Sequence, residues 1–294
     1  MLLWAGVAAA AITVHGSSSE TAPSSRLVEK AHAQRVSAAD LAISGDLDGL
    51  PPGSTRYLSR EDLLTLPLVT YRVNADPNFT GPTEVSGIPL GDLVQQIASI
   101  PESDLAIAIC SDQYHAHYPR KYLTEHHPLL VLKVNGQPPE RWPRDSEGNG
   151  ESMGPYMITH PSFIPGLKVR AYQEEAQIPW GVTGLEFRNE KRFFGAIAPQ
   201  RDVSDPEVEA GYKIAQQNCL RCHNMGDVGG QKADRPWLVL SAWAAASPLH
   251  FADYVRNPRS QNPHAAMPPN PSYDDETLRA LTSYFRTFQY PERP

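Results

Sequence analysis

The chain has 294 residues, of which 40% are hydrophobic and 20% charged, and its formal net charge is -7. That length accommodates two domains with ordinary cores, and the dispersed acidic balance argues against a nucleic-acid partner, which needs clustered Lys and Arg. With three cysteines in all, the chain is not a disulfide-stapled scaffold.

The first element is an apolar run, Leu2 to Val14, followed by the small polar stretch Gly16 to Ser19. It has the length of a signal-peptide core and is too short to span a bilayer comfortably, although the first Lys or Arg is Arg26 and a positive flank is missing. Residues 1–20 therefore read as a signal peptide or membrane anchor, the chain's one route to a membrane. Residues 21–44, rich in Ser and Ala, read as a linker with one short helix.

Residues 45–195 read as a separate domain. Strand-like runs occur at Leu68–Val73, Leu105–Cys110, Leu129–Val134, Tyr156–His160, Leu167–Tyr172 and Val182–Phe187, divided by Gly, Pro and Asn-Gly. Ser59 with Asp62 has the form of a helix start, and Pro89–Ile97 is a second helical patch. Strands with small outer helices predict an α+β or β-rich fold. His115 and His117 alternate along one predicted strand, with Cys110 nearby, His126 and His127 about ten residues on, and His160, before Pro161, a candidate for the same cleft. That is raw material for copper or zinc, but alternation arises cheaply by chance, and a polar strand edge is the favoured reading.

Several phrases of this block resemble the molybdopterin-binding domain of the sulfite oxidase superfamily: Val85 to Leu93, Ile109 to Tyr114, Leu130 to Gln137 and Pro179 to Phe187. The resemblance implies that Cys110, after the central strand, occupies the place of the thiolate that binds molybdenum. Against a bound molybdopterin stand the compactness of the block and a loop from Trp142 to Gly154 without an equivalent in cofactor-loaded relatives. No twin arginine precedes the apolar run, and cytoplasmic loading of molybdenum conflicts with the extracytoplasmic chemistry of the C-terminal half described next. These features favour a domain that keeps the fold without the cofactor, with Cys110 as a buried strand-end thiol.

A short stretch, Ala196 to Asp205, leads into the C-terminal unit, residues 203–294. Here Cys219, Leu220, Arg221, Cys222 and His223 form a C-x-x-C-H run. Two thiols at that spacing can each add to a haem vinyl group, and the adjacent imidazole then becomes the proximal iron ligand. A zinc shell would need more cysteines than the chain has, and a redox dithiol usually opens a helix, whereas Gly211 to Gln217 reads as a helix leading into the motif. For the distal ligand Met267, in Ala-Ala-Met-Pro-Pro, is favoured; His264 and His250 are rivals, and Met225 lies too close to His223 to cross the ring. A Gly-rich loop (Gly226, Gly229, Gly230), a helix near His250–Arg256 and a closing helix from Asp274 complete the order. Leu278, Leu281, Tyr284 and Phe285 line one face of that last helix.

This order resembles a class I cytochrome c domain over the whole segment. The fold class is thus multidomain: an α+β, sulfite-oxidase-like N-terminal domain and an all-α cytochrome c domain. Two functions remain open. One is an exported, periplasmic carrier of single electrons through one haem c, whose front domain binds a redox partner protein. The other is a molybdenum-dependent oxidoreductase, with Cys110 as metal ligand and the haem as internal electron acceptor.

Overall fold

The computed structural model describes residues 27–74, 76–97, 102–144, 152–162, 177–200 and 204–288. Among these, the N-terminal domain is built on β1 (Leu41–Gly45), β2 (Thr55–Leu58), β3 (Val69–Val73), β4 (Thr83–Pro89), β5 (Leu105–Cys110), β6 (His115–Pro119), β7 (Leu129–Val134), β8 (Tyr156–Thr159) and β9 (Trp180–Arg188). They form one nine-stranded sheet in the order β2-β1-β9-β8-β7-β4-β3, with β5 also pairing with β9 and carrying β6. The β1–β9 pair is parallel, whereas β5 runs antiparallel to both of its neighbours. Around the sheet lie α1 (Leu27–Lys30), α2 (Arg60–Leu64), α3 (Leu90–Ile97), α4 (Arg120–His126) and α5 (Glu190–Gly195).

Local chemistry sets several of these boundaries. Ser59 caps α2 as its spacing to Asp62 predicts: its Oγ accepts from the Asp62 amide at 3.0 Å. Leu129–Val134, buried at five of its six positions, is an apolar run rather than an alternating one because both faces of the strand are covered. The same explanation applies to β5, and there it fixes the domain arrangement. Ala106, Ala108 and Cys110 point into the core shared with Tyr118, Tyr156 and Phe187. Leu105 and Ile107 point the other way, into a second core with Phe193, Phe194, Trp237 and Tyr284. One strand thus contributes to both cores.

The N-terminal boundary differs from the sequence expectation. Leu27 is buried in the sheet domain's core, and Leu41–Gly45 is a strand paired on both edges, so residues 27–44 are part of the domain and not a linker. Five residues of alternating burial carry too weak a pattern to stand out beside a Ser/Ala-rich stretch. The apolar run of residues 1–20 and the strand predicted at Leu167–Tyr172 lie outside the described residues. Among the described residues no helix is long and apolar enough to cross a membrane.

The C-terminal unit is helical: α6 (Pro206–Gln217), α7 (Trp237–Ala246), α8 (Pro248–Arg256), α9 (Pro258–Gln261) and α10 (Asp275–Phe285). Its first and last helices cross at Gly211. A Cβ there would fall 2.0 Å from the Ala280 carbonyl oxygen and 2.7 Å from the Tyr284 Cβ, so glycine is what lets the backbones meet. Trp237 donates its indole N–H to the Tyr284 hydroxyl at 3.2 Å, and that hydroxyl donates to the Ile197 carbonyl at 2.5 Å. This bond reaches back to the segment after α5.

Candidate functional site

Helix α6 delivers the C-x-x-C-H run. Asp205 caps its start by accepting from the Glu207 amide at 2.9 Å, with Pro206 in the first turn. Beyond Gln217 the backbone tightens into a 3-10 turn over Cys219–Arg221, and the His223 amide donates to the Cys219 carbonyl at 2.9 Å. Both cysteines are half-buried free thiols. Burial pushes the Cys219 thiol up to about 12 and raises Cys222 as well, the opposite of the lowered values that activate a redox dithiol.

His223 is fixed by its second nitrogen. Nδ1 donates to the Arg235 carbonyl at 2.7 Å, which leaves Nε2 as the unprotonated nitrogen with a lone pair to offer. Burial holds its pKa below the usual histidine value and keeps the ring neutral. The carbonyl is itself positioned by a folded-back loop: Gly230 donates to Leu220 at 2.8 Å, Ala233 to Cys222 at 2.9 Å and Trp237 to Asn224 at 2.7 Å.

Met267 lies on the loop between α9 and α10, half-buried against the same apolar core as Leu220, Trp237 and Phe285. That loop is tied down on both sides. Asn270 donates through its side chain to the Val255 carbonyl at 2.9 Å, and Asn218, next to Cys219, donates to the Tyr273 hydroxyl at 2.7 Å. The rival ligands are placed otherwise. His264 is exposed, and His250, also exposed, accepts the Trp243 indole N–H on Nδ1 at 3.1 Å. Met225 is bound in a tight turn, its amide donating to Val228 at 2.8 Å.

These residues fit a covalently attached haem: two thiols on one turn, a neutral imidazole whose tautomer is set by a carbonyl, and a thioether held at the wall of the same core. Cys110, the candidate molybdenum ligand, is enclosed. Its side chain is 2% exposed and belongs to the sheet domain's core, and burial raises its pKa well above the ordinary thiol value, with the nearby Asp112 charge adding to the effect. The backbone around it is closed on itself, with the Cys110 amide donating to Tyr114 and the Ser111 amide to Gly181, each at 2.9 Å. The turn that follows is exposed but touches the C-terminal unit, where Lys232 Nζ pairs with Asp112 at 2.6 Å.

The histidines of the front domain do not assemble either. His115 and His117 sit opposite Ile109 and Ile107 on β6, on the face toward the helical unit. His126 and His127 are exposed at the end of α4, and His160 Nε2 is bonded to the Tyr122 hydroxyl at 2.9 Å. Among the described residues no group of three or more His, Cys, Asp or Glu could hold a metal ion. The contributions of Arg235, Asn218 and Tyr273 were missed by sequence reasoning; they act through a backbone carbonyl and one tertiary hydrogen bond between Asn218 and Tyr273, which leave no residue-type signature.

Residues 206–285 match the family described as cytochrome c oxidase, cbb3-type, subunit III. The C-terminal unit is therefore a cytochrome c domain, of the class that transfers electrons through haem, preceded by a mixed-sheet domain. No curated protein matches the chain. Among solved structures, the sulfane dehydrogenase SoxCD from Paracoccus pantotrophus aligns over 54% of this chain and 40% of that one, at 18% identity and a TM-score of 0.35. The chain thus spans less than half of that relative's length.

Proposed function

We propose that this protein is an extracytoplasmic carrier of single electrons, with one haem c bound through Cys219 and Cys222 and ligated axially by His223 and Met267. The observation that carries the reading is the hydrogen bond from His223 Nδ1 to the Arg235 carbonyl, because it leaves Nε2 available on a histidine that directly follows the two thiols. When bound, the haem supplies an iron that alternates between ferrous and ferric states. The chain's own part is to hold Nε2 and the Met267 sulfur in position, to surround the group with Leu220, Trp237 and Phe285, and to exclude water. The sheet domain, covered on one side by the helical unit, serves as the docking platform for a redox partner protein.

The alternative, a molybdenum oxidoreductase centred on Cys110, is disfavoured by the enclosure of that thiol within the sheet domain's core. Haem staining of denatured protein on a gel tests the main reading. Stain should survive denaturation and vanish in the Cys219→Ala, Cys222→Ala double variant; stain lost from the unaltered protein on denaturation would overturn it.

A further inference from the structure

Arg235 gives its carbonyl to His223 Nδ1 at 2.7 Å, and its side chain is clamped as well. The guanidinium carbon lies 5.3 Å from the ring centroid of Trp243 and 5.3 Å from that of Tyr254, inside the roughly 6 Å over which a cation is attracted to an aromatic face. The two rings pack against each other in an edge contact at 4.9 Å, so they form one corner around the cation. Trp243 is oriented in turn by His250, whose Nδ1 accepts the indole N–H at 3.1 Å. Tyr254 is buried on α8.

The corner belongs to α7 and α8, whereas Arg235 sits in the loop that follows the C-x-x-C-H run. Backbone bonds fasten that loop at Ala233 and Trp237; between those points the aromatic corner anchors Arg235 itself. Pro236 comes next and confines Arg235 to extended backbone, so fixing the residue through its side chain aims the carbonyl in one direction. The length and angle of a hydrogen bond decide its strength. A strong bond from the second nitrogen of a ligating histidine makes the ring a more basic ligand, which favours ferric over ferrous iron.

We propose that Trp243 and Tyr254 are positioning residues for the proximal histidine: by clamping the Arg235 guanidinium they hold the Arg235 carbonyl on His223 Nδ1 and so lower the haem's reduction potential. The inference rests on the electron-carrier reading and adds to it a determinant of potential that lies outside the thiols and the axial side chains. Arginine suits the clamp because its planar, weakly hydrated guanidinium stacks on aromatic faces, which the compact ammonium of lysine does less well.

The test is potentiometry of the full haem-bearing protein, together with the proton NMR signal of His223 Nδ1–H in the ferrous form. Trp243→Leu should raise the ratio of ferrous to ferric protein at a fixed applied potential about threefold or more, which is about 28 mV at 59 mV per tenfold. The Nδ1–H signal should move upfield as the bond weakens. Trp243→Phe, which keeps an aromatic face, should stay close to the unaltered protein. Arg235→Lys keeps the charge without the flat stacking surface, so it should shift both readouts in the same direction; at a half-buried position it takes over if Trp243→Leu does not fold. An unchanged or lowered potential, equal shifts in the Leu and Phe variants, or a potential that rises while the Nδ1–H signal stays in place would each overturn the proposal. Those outcomes leave haem staining of denatured protein intact, whereas stain lost from the unaltered protein overturns the electron-carrier reading and this proposal with it.

Discussion

The Gln231 amide donates to the Gln113 carbonyl at 3.0 Å, and this bond fastens the loop that follows the haem motif to the tip of the β5–β6 hairpin. Gln113 adopts a left-handed backbone, with φ of 67°. Gly230 beside it leaves no room for a side chain, since a Cβ would lie 1.9 Å from the Arg221 carbonyl oxygen and 2.9 Å from that of Gln113. Gly230→Ala should therefore push the loop off the haem-motif turn at Arg221, and to a lesser degree off the hairpin, and destabilise the protein by about 1–3 kcal/mol. Lys232→Ala, which removes a half-exposed ion pair, should cost less than about 1 kcal/mol. Thermal unfolding of the haem-bearing protein compares them, and a neutral Gly230→Ala would contradict the close seam.

Loss of the distal thioether is the next prediction. Met267→Ala should lower the reduction potential and remove the weak red absorption of the oxidised form, because methionine ligation favours the ferrous state. His264→Ala should leave both unchanged. Spectra and potentiometry that respond to His264→Ala and not to Met267→Ala would assign a bis-histidine iron.

The helix crossing gives a stability prediction independent of haem chemistry. Gly211→Ala introduces a methyl group where the Ala280 carbonyl already sits, and α6 and α10 must separate to admit it. Destabilisation by about 1–3 kcal/mol is expected in denaturant unfolding, against the gain that alanine gives in an unconstrained helix.

Acid stability follows from two buried histidines. His117 and His160 have pKa values pushed down to about 3, in both cases chiefly by burial, while in the unfolded chain they titrate near the ordinary value of about 6.5. Between those values the unfolded state binds more protons, so stability is fully present above about pH 6.5 and falls as pH drops toward 3. Each histidine contributes a slope of up to about 1.4 kcal/mol per pH unit inside that window. Unfolding free energies measured from pH 7 to 4 should steepen accordingly, and His160→Gln should reduce the slope.

Cys110→Ser should behave as a packing change. The substitution places a hydroxyl in an apolar core at a cost of about 1 kcal/mol or somewhat more and should leave haem redox cycling intact. Elemental analysis of protein made in its own host that found molybdenum near one per haem, lost in Cys110→Ser, would install the enzyme reading instead.

What the chain's residues determined on their own is largely local. The C-x-x-C-H run, the Ser59 cap, the apolar face of α10 and the unbroken apolar β5 and β7 were legible because each depends on neighbours a few positions away. Helix α7 went unread: Trp237–Ala246 is apolar on nearly every side and carries no face-defining period. Strand β1 was too short to stand out from the Ser/Ala-rich stretch before it. The carbonyl of Arg235 under His223 and the seam between Gln113 and Gln231 were settled by tertiary structure alone. They depend on backbone groups, and a backbone carbonyl is the same in every residue type.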